Sequence, residues 1–483
     1  MNVKLSMLIN ALSDVSVKNF YEQEITGISA NSESVNTGFI FVAIKGARMD
    51  GNDFIDDAYE CGARVFVISK KSSQIKDAVC IYSKTPRKTL AELCACFFEN
   101  PQKSMDFIGI TGTKGKTTTS IILSKILDGA GLKNIVIGTL GAISDKHKET
   151  QNTTPDPTVL FPLLKEAKEA GTQVAVLEVS SQALKDFRVW GINFSCVAFT
   201  GIGRDHVGGV EHPTFLDYVI SKRRLFSDYG AKSAVVNFDD PYSLYMSFDV
   251  PKVIKCGFSE NAGLVIKDFK DSPHGAKFLL EGVRVKSSLP GKYNAKNTAM
   301  AIALAREICG ISISEAVHYV SGVKVAGRFE RKVVNGKNII VDYAHNAESF
   351  REVMTLCRRL FHGRIICVFG SVGDRSYARR EELALSAEEY ADFSVITSDN
   401  PGYEFPLSIC ADIYSAFRDK TKAKIIVSRG EAILYALTEA KPGDTVLLLG
   451  KGHETVMNIG GKAIPFSDSE LINRKIFTLI HGS

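Results

Sequence analysis

Apolar residues along this chain alternate between two patterns. Short continuous runs at 39–43, 63–68, 107–110, 135–137, 174–177, 197–199 and 234–236 predict buried strands. So do 339–341, 365–369, 394–397, 424–427 and 445–449. Between them, at 118–127, 218–226 and 298–305, apolar residues recur at helical spacing. Strands alternating with helices predict an α/β chain. Its sheets should be mostly parallel and covered on both faces, with ligands at the carboxyl ends of the strands. Pro101 and Gln102 mark a break before the 107–110 strand, and another α/β region opens near Gly327. Three domains are expected, 1–102, 103–326 and 327–483, in keeping with a length of 483 residues.

The 107–110 strand runs into Gly112-Thr-Lys-Gly-Lys-Thr-Thr118, and a helix follows. Strand, Gly turn, Lys-Thr and helix are the parts of a phosphate cradle. Backbone N–H groups and the positive helix end face an anion there. Lys116 would reach the β/γ-phosphates and the Thr117 hydroxyl would hold Mg²⁺. Ile110 stands where the general pattern has its first Gly, so the loop is a shortened form.

Composition narrows the class. With 45% hydrophobic and 23% charged residues and a net charge of +5, the chain reads as a soluble globular protein. No dense Lys/Arg run with interleaved aromatics points to nucleic acid. No apolar run approaches the roughly 20 residues of a membrane span, and the first residues do not resemble a signal peptide. The 10 cysteines lack zinc or redox spacing. Reduced thiols in a cytoplasmic protein are expected.

Polar residues at predicted strand ends supply the candidate chemistry. Glu178 closes the 174–177 run, where a carboxylate beside a phosphate loop suits Mg²⁺ or, alternatively, a cap or ion pair. His206, after the 197–199 run, reads as a metal ligand or a hydrogen-bonded structural residue. Lys222 on its helix reads from spacing as a solvated surface lysine. Asn294 and Asn297 at a helix start can cap it or read a base edge. Arg375, Asp399, Asn400, Gly450 and Glu454 follow strands of the last region and suggest one cleft.

In this order, about eight motifs spanning nearly the whole chain resemble the Mur ligase family of cell-wall synthesis. Asn31-Ser-Glu33, Gly38-x-Phe-x-Phe and Asp50-Gly51 are similar to the family's uridine-binding module, and Asn152-Thr-Thr-Pro155 and Glu178-Val-Ser-Ser-Gln182 to its muramoyl-peptide and metal motifs. The resemblance implies a three-domain α/β fold. A uridine-binding N-terminal domain and a Rossmann-like amino-acid-binding C-terminal domain would flank a central ATP-binding, mostly parallel sheet. The nearest branch adds the third amino acid to UDP-N-acetylmuramoyl-L-alanyl-D-glutamate through an acyl phosphate, in the cytoplasm and as a monomer.

Carried over by position, the resemblance assigns ATP to Gly112, Thr113, Lys114, Gly115, Lys116, Thr117, Thr118, Asn294, Asn297, Arg328 and Asp342. It assigns Mg²⁺ to Thr117, Glu178, His206 and Lys222, the last as a CO₂-derived carbamate. Lys116, Glu178, His206 and Lys222 are its catalytic set. Ser32, Thr153, Thr154, Ser180 and Arg188 fall at the UDP-sugar-peptide positions. Arg375, Asp399, Asn400, Gly450 and Glu454 fall at those for the incoming diamino acid.

Three departures stand out. The uridine module usually reads Asp-Ser-Arg, here Asn31-Ser-Glu33. Gln182 replaces a common His, and the stretch after His206 is longer, as in the lysine-adding branch. Relatives that add meso-diaminopimelate carry an Arg after Asp-Asn-Pro to clamp its distal carboxylate; here the position is Gly402, which has no such donors. L-lysine is therefore the expected acceptor. Diaminopimelate, ornithine or a non-catalytic nucleotide-binding relative are the alternatives.

Overall fold

The computed structural model describes residues 2–46, 49–69, 77–203, 211–373 and 377–481, with side chains described as far as 474. The chain divides into two compact units, 1–266 with 296–316, and 267–295 with 317–483.

The first unit contains two larger sheets besides a two-stranded pairing of Val3–Lys4 with Glu24–Ile25. The N-terminal one has the order Val15–Lys18, Val79–Ser83, Val65–Ile68, Phe39–Val42, Gly27–Ser29, parallel except at its first pairing. In the larger sheet Asp106–Thr111 lies between Val174–Glu178 and Cys196–Phe199. Asn134–Gly138 flanks the former, and Ser233–Asn237 and then Lys252–Gly257 follow the latter, all in parallel. An antiparallel edge, Gly141–Ile143 with His147–Lys148, makes the sheet mixed. The central strands are buried along nearly their whole length, which is why they read as unbroken apolar runs. Register puts Glu178 opposite Ile110, one residue short of the phosphate-loop turn.

The second unit has a six-stranded sheet, Glu330–Val334, Lys337–Asp342, Thr445–Leu449, Ile365–Phe369, Phe393–Ile396, Ala423–Ile425. Only its first pairing is antiparallel. Helices Ala347–Leu360, Tyr377–Tyr390 and Pro406–Ala416 pack on one face. Helix Arg429–Glu439 and Ile472 of the last helix pack on the other. The helices change face where Thr445–Leu449 enters between Lys337–Asp342 and Ile365–Phe369, and such a switch point opens a crevice at the strand ends. The last helix is fixed by charge as well as packing. Asp468 at its start and Arg429 are both fully buried and paired through Nε and Nη2, at 2.8 and 2.6 Å.

All 10 cysteines are free thiols, and eight are buried. Asp444, just before Thr445–Leu449, accepts from the backbone N–H groups of Lys441 and Arg364 and from the Arg364 guanidinium. Burial pushes its carboxyl up, but these donors outweigh burial and hold it below the usual carboxylate range. A depressed carboxyl stabilises the fold above its unfolded-state pKa, and that contribution is lost as pH falls through the folded value. Asp444→Asn should therefore cost about 1–2 kcal/mol at pH 7. In urea unfolding the gap to the parent chain should close as pH is lowered through the carboxylate range.

Candidate active site

The phosphate loop joins the Asp106–Thr111 strand to the Lys116–Gly129 helix. Gly115 caps that helix in a left-handed conformation (φ 87°), and a Cβ there would collide with Asn297 Oδ1. Only glycine allows both the turn and this approach. The Lys116 ammonium lies 2.8 Å from the Gly112 carbonyl oxygen. The Lys222 ammonium reaches the same oxygen at 3.0 Å from the Phe215–Ser227 helix. Two cations thus converge on the turn that leads into a helix N-terminus, which concentrates positive potential where an anion would sit. Lys222 is 2% exposed, with its ammonium 4.5 Å above the Tyr218 ring, so the solvated surface reading from spacing does not hold.

Thr117 lies in the first turn of the helix and its hydroxyl donates to Glu178 Oε2 at 2.8 Å. Glu178 is 1% exposed. It also accepts from the Thr139 hydroxyl (3.0 Å) and N–H (3.3 Å) and from Ser120. A Cβ on Gly138 would strike its Oε1, so a side chain at 138 and this carboxylate exclude each other. Thr139 Oγ1 lies 3.2 Å from Thr153 Oγ1, which links Glu178 to the Asn152-Thr-Thr motif. Thr154 donates to the Glu178 carbonyl oxygen and accepts from the Ser180 N–H. Arg188 donates to the Thr154 carbonyl oxygen and pairs with Asp156. Thr139 and Ser120 were not anticipated. Thr139 directly follows a buried strand beside the loop strand's neighbour, which was the signal available.

Of the remaining expected residues in this unit, Thr118 is buried in the first helical turn, and the Lys114 carbonyl oxygen accepts from Thr200. Thr113 Oγ1 bonds Gly203 and Tyr218. Ser32 sits apart, buried in a short turn that Asn31 caps. His206 lies outside the described residues, as does Arg375.

In the second unit, Asp342 ends its strand buried, accepting from the N–H groups of Phe329 (2.7 Å) and Ala344 (2.8 Å). Burial raises its carboxyl, opposed by Arg328. Arg328 lies 4.6 Å from the Tyr343 ring centre. Asn294, near its helix start, donates to the Pro290 carbonyl oxygen. Asn400 donates to Glu454 Oε2 at 2.7 Å, and the fully buried Lys451 ammonium reaches the same oxygen at 2.8 Å. Asp399 is buried against Gly450, its carboxyl raised by burial and lowered by Arg429 and Lys451. Lys451 is the member of this cluster that sequence reasoning left out.

Three family models cover most of the chain: the Mur ligase family catalytic domain over 24–96, the middle domain over 110–305 and the glutamate ligase domain over 327–452. The UDP-N-acetylmuramoyl-L-alanyl-D-glutamate–2,6-diaminopimelate ligase of Bacillus licheniformis is 37% identical over 99% of this chain and all of its own length. The chain belongs to the Mur ligase family. The Aquifex aeolicus enzyme of the same name is 36% identical over 94% of each chain. A solved structure under that name covers 95% of this Mur ligase at 28% identity, with a TM-score of 0.66. MurF from Acinetobacter baumannii, at 19% identity and a TM-score of 0.64, shares the three-domain fold. This Mur ligase is therefore an ATP-dependent amide-forming enzyme of the MurE type, working with ATP and Mg²⁺.

The contact between position 138 and Glu178 is testable. Gly138→Ala should lower kcat about 10–100-fold and also lower the thermal unfolding midpoint, because the displaced carboxylate loses donors in a buried setting. Turnover within twofold of the parent would show that Glu178 can move without consequence.

Proposed function

We propose that this enzyme joins the free carboxylate of UDP-N-acetylmuramoyl-L-alanyl-D-glutamate to the amine of a diamino acid. The observation that carries this reading is the Thr117–Glu178 pair on the phosphate loop, with Lys116 and Lys222 converging on Gly112. A hydroxyl and a carboxylate are hard oxygen donors, and Mg²⁺ typically takes one or two carboxylates and keeps several waters. Thr117 and Glu178 would hold the ion, joined by His206 and by Lys222 as its carbamate. Bound there, Mg²⁺ supplies charge neutralisation for the phosphates.

The residues' work follows from the chemistry. A carboxylate is a poor acyl donor, so the γ-phosphate of ATP is first transferred to it, with ADP leaving. Lys116 offsets charge on the transferring group, and Gly112 to Thr118 position the phosphates through backbone N–H groups. The amine then attacks the acyl carbon and phosphate departs. Thr153, Thr154, Ser180 and Arg188, tied to Glu178 by hydrogen bonds, would seat the acceptor peptide beside the loop, and Ser32 its uridine end. Asn297 would meet the adenine side, as would Asn294, and Arg328 and Asp342 a phosphate and the ribose. Lys222 becomes an anionic ligand when its neutral amine adds CO₂, with release of one proton. Domain boundaries near 102 and 326 complete the reading, with the reaction in the cytosol.

For the amino acid we favour diaminopimelate over the L-lysine expected from Gly402. Support comes from the names of the Bacillus and Aquifex relatives. Gly402 itself is held at φ 61°, its N–H on the Asn458 carbonyl oxygen and its own oxygen accepting from the Gly460 N–H. An arginine would be strained there, so recognition of the second ammonium and carboxylate falls to Arg375, Asp399, Asn400, Gly450 and Glu454.

Phosphate release with ATP, Mg²⁺ and the UDP-dipeptide decides the matter. We expect release on adding meso-diaminopimelate. Release with L-lysine alone would restore the inference from Gly402, and silence with diaminopimelate, L-lysine and L-ornithine would sink the ligase reading for this acceptor. Lys222→Ala should lose about 100-fold or more in kcat, as expected when a ligand to the transferring phosphate's metal is removed. Full turnover in bicarbonate would remove Lys222 from the metal site.

A further inference from the structure

Glu178 and Lys222 lie on separate segments, yet one residue that the chemistry above does not use bonds to both segments. His212 is fully buried. Its Nδ1 lies 2.7 Å from Asp217 Oδ2, on the helix of Lys222, and its Nε2 lies 2.9 Å from the hydroxyl of Ser181, three residues beyond Glu178. An ionised carboxylate can only accept, so Nδ1 carries the proton and Nε2 accepts from Ser181. The ring edge meets Tyr218 at 5.1 Å between centroids. The Tyr218 hydroxyl is 3.0 Å from Thr113 Oγ1 of the phosphate loop, and its face lies under Lys222. Charged groups facing the imidazole are Asp217, Lys185 and Glu211. Burial holds the ring below the ordinary imidazole range despite Asp217, so the accepting Nε2 is present at neutral pH. The serine–imidazole–carboxylate order is also that of a nucleophilic relay, but Ser181 is 5% exposed and closed to an acyl substrate.

We propose that His212 is a positioning residue that, through Ser181 on one side and Asp217 and Tyr218 on the other, holds the Glu178 strand end and the Lys222 helix in catalytic register. This rests on the metal reading above. A buried imidazole costs desolvation that an aliphatic side chain would not, and both of its nitrogens are committed to the two segments.

Ser181→Ala, Ser181→Thr and His212→Gln in the full chain test it. We expect Ser181→Ala to lower kcat about 10–100-fold and to weaken the Mg²⁺-dependent gain in ADP affinity, read by calorimetry without turnover. ADP affinity in the absence of Mg²⁺ should stay within about twofold. Ser181→Thr keeps the hydroxyl and should recover kcat to within about threefold. The proposal is overturned if Ser181→Ala matches the parent in both readouts. It is equally overturned if Ser181→Ala and Ser181→Thr are impaired alike and only the urea midpoint tracks the loss. His212→Gln, if folded, should follow Ser181→Ala. A parent chain without turnover would fault the substrate reading, while the ADP measurement would still judge this one.

Discussion

A carboxylate withdrawn from water has to find its donors in the protein, and Glu178 finds them on two neighbouring segments. Thr117 and Ser120 come from the helix after the phosphate loop, and Thr139 from the end of the adjacent strand. Parallel pairing makes this possible, because it brings successive strand ends to one edge of the sheet. An unsatisfied buried carboxylate would cost several kcal/mol. The donors therefore fix the relative heights of these segments as firmly as the apolar core does. The same contacts leave hard oxygen atoms grouped beside two lysines, which is what phosphoryl chemistry needs. Stability and chemistry here draw on one set of bonds.

The second unit meets its constraint differently. Its cleft residues sit where the helices change face, and they are held by charge pairs in place of a hydroxyl network. Asn400, Glu454 and Lys451 lock together, and Asp399 lies against Gly450 close to the field of Arg429. These groups are paired with one another around the buried Lys451, so the cluster is held in one arrangement.

How much could be read from sequence depended on whether the information was local. The phosphate loop was legible because Gly115, Lys116 and Thr117 carry their geometry in the backbone. The strands were legible because central parallel strands are apolar on both faces. Lys222 was not, since spacing alone made it a surface residue and only packing against Tyr218 and Gly112 buries it. Thr139 became visible as a partner of Glu178 only with strand order. The insertion of Thr445–Leu449 between two earlier strands is likewise a long-range choice that no window of sequence holds. Gly402 by itself does not fix the amino acid, because one absent side chain is a single position among the several that follow the strands of this unit.

The buried Arg429–Asp468 pair has a consequence for how the protein is made. Arg429 opens a helix between two strands of the sheet, whereas Asp468 arrives 39 residues later. Until then the guanidinium lacks the carboxylate it bonds to, with only Asp399 and Glu454 to offset its charge at longer range. The face of the sheet that receives it can close only after synthesis has passed position 468. Ribosome-bound chains should thus carry this unit in a loosened state, and chains cut short before position 468 should present their unfinished face to proteases and chaperones.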